Sequence, residues 1–398
     1  MFGRFVVSSI EVKEVQARHF EEYGAKPCLT VRVPGITRFL GPFADYSLGH
    51  SFCAADNRVL YLCLSVAEEN QIRFFNTAAN DRKHFNSSAL KYRKEDRWAN
   101  YIKGVLLELM TEGARLPGLN ITVGGDLLSA NNDILCCSIV VAMCLAMQKL
   151  LNLHFERDVL GRMIVKGCVN FGGEVCCASM VATMICAKPG NFVYFDNNAT
   201  KAELVGNFFE GSASELLYIE TGLPNAVMRE EVSRMHREIK ALYEKQFGEL
   251  GIVNLAGRAD SDIREKLAAM PEDEKRIIQY LIEEYRTAIL PSFTESAFAK
   301  ALGRTGKAMN NILEFSFPEM DWILKRANES AGCLGVSAVA TGGNGTVGAV
   351  MNRDSVDSFK AKLEDYERIF GFKLKMYEFV PQGGAVVFGN TDENTSDK

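Results

Sequence analysis

The sequence predicts an α+β protein of two domains. With 398 residues, 47% of them hydrophobic, the chain is long enough to bury more than one core. Runs of β-branched and aromatic residues alternate along it with segments whose apolar residues recur at three- and four-residue spacing. Its end, from Gly335 to Phe379, reads strand–turn–strand–helix–strand, the order of a ferredoxin-like half.

Strands are expected over Phe5–Val12, Leu29–Val33, Val59–Ser65 and Ile72–Asn76, each bounded by turn residues. Trp98, Tyr101, Ile102, Val105, Leu106 and Leu109 then form the apolar face of a helix, with Trp98 as a core anchor. After a strand at Leu119–Val123, the run Ile134–Met147 is too short for a comfortable membrane span and reads as a buried helix ending near Leu151. A helix over Asp158–Lys166, a strand ending at Asp196 and a strand at Glu215–Glu220 follow. Met228, Val232, Met235, Ile239 and Leu242 mark one stripe of a long helix. Further helices are expected over Asp260–Leu267 and Pro271–Ile289, whose charge runs are solvated faces. Strands at Gly335–Ala340 and Val347–Met351 lead to a helix over Asp354–Phe370, ended by Gly371, and a last strand at Phe372–Phe379.

A net charge of −5 argues against sequence-independent binding to nucleic acid, which needs a basic face. No membrane association is expected, and the opening MFGRFVVSSIEV lacks the apolar core of a signal peptide. Eleven cysteines without an export signal suggest reduced thiols and a cytoplasmic location. The pairs Cys136–Cys137 and Cys176–Cys177 read as small core hydrophobes or, alternatively, as a reactive or metal-binding cluster. Their spacing matches no zinc ribbon, and His19, His50, His84, His154 and His236 are scattered, so no metal site is assigned. The polar tail 391–398 is expected to be disordered.

One stretch organises the rest: RVPGITRFLGPFADYSLG, from Arg32 to Gly49. Turn chemistry at Pro34-Gly35 and Gly41-Pro42 brackets a short loop with the Asp45 carboxylate at its tip, a natural place for a ligand contact. This stretch resembles the first signature of the galactokinases, within the GHMP small-molecule kinases, roughly P-G-R-x-N-L-I-G-E-H-x-D-Y-x-x-G. Pro34, Gly35, Leu40, Gly41, Asp45, Tyr46 and Gly49 match. The family's arginine falls on Ile36, its asparagine on Arg38, its glutamate on Pro42 and its histidine on Phe43. The resemblance implies that Asp45 contacts the sugar.

The glycine-containing turn GGDLLSANNDILCCS, Gly124–Ser138, sits between a strand and a helix start, where free N–H groups and the helix dipole favour an anion. By resemblance it is the second signature, which holds the nucleotide phosphates and supplies a serine to magnesium. The phosphate-loop position takes in Gly125, Asn131, Asn132, Cys137 and Ser138, but the family's glycines fall near Ala130 and Asn132 and its serines on Ile134, Leu135 and Cys136. Asp133 there either opposes a polyanion or caps the helix. The run VNFGGEVCC resembles the family's V-N-C-G-I-M-D-Q, whose aspartate is the base for the sugar hydroxyl. Three registers place it on Val175, Cys176 or Met180, so no aspartate is present, and Glu174 reads as a replacement base or as a first-turn carboxylate. TGGNG resembles the third signature, a glycine turn lining the cleft, with Thr341, Gly342 and Gly343 matched and Asn344 in a glycine position. WANYIKGV, FSFPEMD and PQGGA also resemble non-catalytic family segments, the second of which starts a helix.

The resemblance thus implies the two-domain GHMP kinase fold. A mixed α/β N-terminal domain would cover 1–200, and a helical C-terminal domain with a ferredoxin-like sheet 201–390, with ATP, magnesium and sugar meeting between them. Phosphoryl transfer rests on positioning and charge neutralisation, and the arginine, base, magnesium serine and phosphate-loop glycines are all replaced. The expected function is therefore a galactokinase-like pseudokinase, a binding or regulatory module for a sugar, nucleotide or protein partner. The alternative is an active ATP-dependent galactokinase using Glu174 or Asp133 in altered geometry and Arg38 for the missing arginine.

Overall fold

The computed structural model describes residues 11–68, 70–129, 132–168, 171, 177–247, 265, 267–315, 317–339 and 345–389. These form two compact units that are discontinuous in sequence. One comprises 1–35, 55–187 and 382–398, the other 36–54 and 188–381.

The first unit begins with helix α1 (Val12–Tyr23), closed by Gly24 at φ 67°. A strand had been expected up to Val12; residues 5–10 lie outside the described ones, and Val12 opens a helix instead. Its apolar signal is weak because α1 places little more than Val15 and His19 in the core. His19 bridges Thr122 and Ser65 through its two ring nitrogens, at 2.9 Å each.

Strand β1 (Leu29–Leu40) runs straight through Pro34-Gly35, where a turn was expected. Pairing with β12 (Val386–Gly389) ends at Arg32, so the missing N–H of Pro34 breaks no bond of that ladder. Gly35 is needed for closeness rather than for bending. A Cβ there would overlap Oδ1 of Asp56, on strand β2 (His50–Ala67), which accepts from the backbone and Nε of Arg58 at 3.0 Å. The second bracketing turn is present: Gly41 has φ 66°, and helix α2 (Ala44–Ser47) follows.

β3 (Gln71–Asn76) and β4 (Asp81–Asn86) form an antiparallel hairpin, and β3 lies parallel to β5 (Gly118–Gly124), giving the order β12-β1-β2-β5-β3-β4. β4 escaped the sequence reading because its solvent side carries Arg82 and His84. Helix α3 (Ala99–Thr111) makes the crossover and buries the apolar stripe anticipated for it. Trp98 is 8% exposed, packs edge-on to Phe74 and donates from its indole to Asp81. α4 (Asn132–Leu150) is buried from Ile134 to Met143 on every face, which explains its continuous apolar sequence. α5 (Arg157–Gly167) and α6 (Ala178–Cys186) pack beside it.

In the second unit the start of β2 pairs with β6 (Asn191–Asp196), and β6 with β7 (Lys201–Gly206). β7 was not anticipated, because only Val205 of it is fully buried. A separate antiparallel sheet has the order β11-β8-β10-β9, from β8 (Ser214–Glu220), β9 (Cys333–Val339), β10 (Thr346–Asn352) and β11 (Lys375–Glu378). α7 (Asn225–Phe247), α8 (Glu272–Ala288), α9 (Glu295–Asn311) and α10 (Pro318–Asn328) build the helical part. α9 was missed from sequence, since its buried face consists largely of Ala, Gly and Thr. The helix expected over Asp354–Phe370 is two helices, α11 (Val356–Lys362) and α12 (Tyr366–Phe370). Gly371 ends the second in the left-handed conformation, φ 75°. One core lies between the four-stranded sheet and α7, α8 and α10; a second is an aromatic cluster around Phe39, Phe52, Phe192 and Phe298. The expected helix over Asp260–Leu267 falls almost wholly outside the described residues.

Candidate functional site

Two places in the chain carry site residues, one in each unit. In the first unit, β5 ends at Gly124, and Gly125 takes φ 116° with no room for a Cβ against the carbonyl of Val59. The chain turns through a short 3-10 segment, Asp126–Ser129, into α4. The strand, glycine turn and helix start read from sequence are therefore in place. Asn131 lies outside the described residues; Asn132 opens α4, and its side chain, like that of Asp133, is not among those described. Ile134, Leu135 and Cys136, where the resemblance puts the family's serines, are at most 9% exposed. Ser138 is fully buried, and its hydroxyl donates to the carbonyl of Leu135 at 3.0 Å, within its own helix. Cys137 is fully buried, and the thiol of Cys136 meets that of Cys168 at 2.9 Å. Magnesium takes hard oxygen ligands, and two aliphatic chains and a buried thiol offer none. Glu174, Thr341, Gly342 and Gly343 lie outside the described residues. Among the described residues no group of three His, Cys, Asp or Glu could hold a metal ion.

In the second unit a buried polar cluster surrounds Asp45. The left-handed turn at Gly41 brings the chain back, and α2 follows with Asp45 in its first turn. Arg38, near the end of β1, is 1% exposed and donates from Nη1 to Oδ2 of Asp45 at 2.7 Å. α8 supplies Glu284, whose Oε1 accepts from the Phe43 backbone N–H and the Tyr280 hydroxyl, both at 2.9 Å. α7 supplies His236, which lies 3.0 Å from the Tyr46 hydroxyl through Nδ1 and packs edge-on to Phe43.

Burial sets the electrostatics of this cluster. It pushes the Glu284 carboxyl up to about 7, reinforced by the charge of Asp45 and opposed by its hydrogen bonds and by Arg38. Burial, with the nearby Arg38 charge, pushes His236 down to about 3, so its ring is neutral at physiological pH. Burial and Glu284 together hold the Tyr280 hydroxyl well above its ordinary value. Oδ1 of Asp45 and Oε2 of Glu284 are buried and accept no hydrogen bond among the described residues. The cluster thus holds two buried carboxyl oxygens with unused acceptor capacity beside a buried guanidinium.

Of these residues only Asp45 was singled out as a sugar contact from sequence; Glu284, Tyr280 and His236 were missed. The signal was there for two of them. Glu284 continues the i, i+3, i+4, i+7 stripe of Ile277, Tyr280 and Leu281, and a carboxylate on an apolar stripe needs a partner. His236 follows Met235 on the stripe of Val232 and Ile239 in the same way.

No family model matches the chain. Curated relatives match it over nearly their whole length. A Treponema pallidum protein, named only provisionally as a galactokinase, is 26% identical over 393 residues, covering 95% of this chain and 97% of that one. A Clostridium tetani galactokinase is 21% identical over 394 residues, and a Pyrococcus furiosus galactokinase 24% over 368, covering 96% and 99% of their own lengths and 93% and 90% of this chain. Among solved structures, Lactococcus lactis galactokinase complexed with galactose superposes with a TM-score of 0.77 at 17% identity, covering 94% of this chain and 99% of its own. Over nearly its whole length the chain is similar to galactokinases, and it shares the fold of the GHMP kinases. A Methanococcus jannaschii mevalonate kinase shares the fold more distantly, with a TM-score of 0.54 at 14% identity over 89% of this chain and 98% of its own. The galactokinase-like fold expected from the Arg32–Gly49 signature, with its mixed α/β and sheet-plus-helix parts, is the fold of this chain. Among the described residues no helix is long and apolar enough to cross a membrane.

Proposed function

We propose that the chain is a galactokinase relative that does not transfer phosphate efficiently and acts as a binding or regulatory module for a sugar-like polyol. The observation that carries this reading is the start of α4. Ile134, Leu135 and Cys136 are buried there, and the hydroxyl of Ser138 is committed to its own helix. A phosphoryl-transfer site depends on donors and a metal gathered around the migrating group, and removing one such donor typically costs about a hundred- to a thousand-fold. Arg38 would not replace the family's missing arginine, because it is engaged with Asp45.

The Arg38–Asp45–Glu284 cluster is the polyol site in this reading. A hydroxyl that reached these buried oxygens would donate to Asp45 Oδ1, and Glu284 would accept from a second or, when protonated, donate to it. A coupled assay for ADP release over several hexoses, together with a thermal-shift titration by galactose and by Mg-ATP, tests both halves. Stabilisation by galactose of about 2.7 kcal/mol at a hundred times its dissociation constant is expected. ADP release should stay at background. Robust turnover that disappears on Glu174→Gln would make the chain an active galactokinase instead.

A further inference from the structure

The second unit contains a cavity of about 830 Å³ between α9 and α10, over β9 and below the end of α8. It is distinct from the Arg38–Asp45 cluster, none of whose residues line it. Its floor exists because α9 and β9 approach unusually closely. A Cβ on Gly335 would overlap the carbonyl of Ala299, and one on Gly306 the carbonyl of Val336.

The lining is strongly cationic in a chain whose net charge is −5. Lys300, Arg304 and Lys307 stand at i, i+4 and i+7 on one face of α9, and Lys325 comes from α10. The one carboxylate in the lining, Asp321, accepts from the side-chain amide of Asn310 at 3.1 Å. None of these four cationic groups forms an ion pair or a hydrogen bond among the described residues.

Other cations of this unit are paired. Arg276 pairs with Glu314, Arg326 with Glu329 and Arg353 with Glu215 and Glu378. Like charges at i, i+4 disfavour a helix by about 0.2–0.5 kcal/mol per pair, so the α9 row is a local cost that a bound anion would remove.

We propose that this cavity is a binding site for a small organic polyanion, a molecule carrying two or more phosphate or carboxylate groups. Four uncompensated cations select the charge, and Arg304 adds a planar fork suited to phosphate. The size selects a small ligand, because 830 Å³ lies within the range of small-molecule pockets and is far from an extended macromolecular face. Exposed Leu334 and Ile289 in the lining would meet the carbon skeleton.

Calorimetric titration of the full chain with inorganic pyrophosphate and with fructose 1,6-bisphosphate tests this. The wild type is compared with Lys300→Ala/Arg304→Ala/Lys307→Ala and with a control, Lys13→Ala/Lys26→Ala/Lys201→Ala, that removes as many exposed cations elsewhere. Binding should weaken by about tenfold or more in the first variant only. Independently of any variant, the probe should slow maleimide labelling of Cys333, which lines the cavity, as located by peptide mass spectrometry. Failure of both probes to bind, retention of binding in the first variant, or unchanged labelling of Cys333 would overturn the assignment. So would tighter binding of poly-glutamate than of either small probe.

Discussion

Arg38 and Asp45 form an ion pair from opposite ends of one eight-residue turn, with the guanidinium 1% exposed and the carboxylate 16%. The aspartate matched in the Arg32–Gly49 signature is paired with an arginine that the signature does not match. Removing one partner of such a buried pair strands the other charge. Arg38→Met should therefore lower stability by about 3 kcal/mol, measured by urea unfolding. The double variant Arg38→Met/Asp45→Leu should recover more than half of that loss. A double-variant loss equal to the sum of the losses of Arg38→Met and Asp45→Leu alone would mean that the pair carries no coupling.

Glu284 makes stability depend on pH in an unusual direction. Its folded carboxyl titrates near 7, against an ordinary 4.5. Between those values the folded state holds a proton that the unfolded state has released. Its contribution is complete below 4.5 and lost as pH rises through 7, on the order of 3 kcal/mol in all. His236, lowered to about 3, and His19, lowered to about 4, act oppositely: their contribution is present above 6.5 and lost as pH falls. The net profile mixes these slopes, but the difference between wild type and Glu284→Gln isolates the first. The wild type should lose stability relative to the variant as pH rises from 5 to 7, and the difference should flatten above that. Parallel profiles from pH 5 to 8 would refute the assignment.

Lys103 is wholly buried in α3. Its ammonium pairs with Asp96, donates to the Lys91 carbonyl at 2.9 Å and lies 3.8 Å from the centroid of the Phe85 ring. Lys103→Met keeps the stem volume and deletes the charge, leaving Asp96 desolvated. A loss of about 3–5 kcal/mol is expected by chemical denaturation. The variant Lys103→Arg should also be destabilised, since the added volume has no space to enter.

Two glycines should respond in opposite senses. Gly35→Ala drives a methyl into Asp56, which Arg58 holds in place, and should cost about 1–3 kcal/mol. Gly161 lies inside α5 with no heavy atom near its would-be Cβ, so Gly161→Ala should stabilise by about 1 kcal/mol through helix propensity. Paired thermal melts decide both, and a fall in melting temperature for the second variant would contradict the open space beside it.

What could be read from the residues depended on how local the determinant was. The stripes of α3 and α7, the all-round apolar α4 and the Gly371 stop were visible because periodicity and capping are properties of neighbouring residues. α9 was invisible because Ala, Gly and Thr carry no hydrophobic contrast, though they let that helix lie against β9. The Pro34-Gly35 pair was read as a turn because both residues favour turns in isolation. Only the carboxylate of Asp56, 21 residues on in the chain, makes the glycine a requirement of close approach within a strand.

The order of amino acids by itself determined the galactokinase-like frame, the glycine turn after β5, the position of Asp45 and the apolar run Ile134-Leu135-Cys136 at the start of α4. The tertiary structure alone decided that Arg38 is bound to Asp45, that Glu284 and His236 stand beside them, and that four cations of α9 and α10 converge on one cavity. A residue's type and local spacing are written in the chain, whereas its neighbours across space, and hence its charge state and its partners, exist only once distant segments have packed.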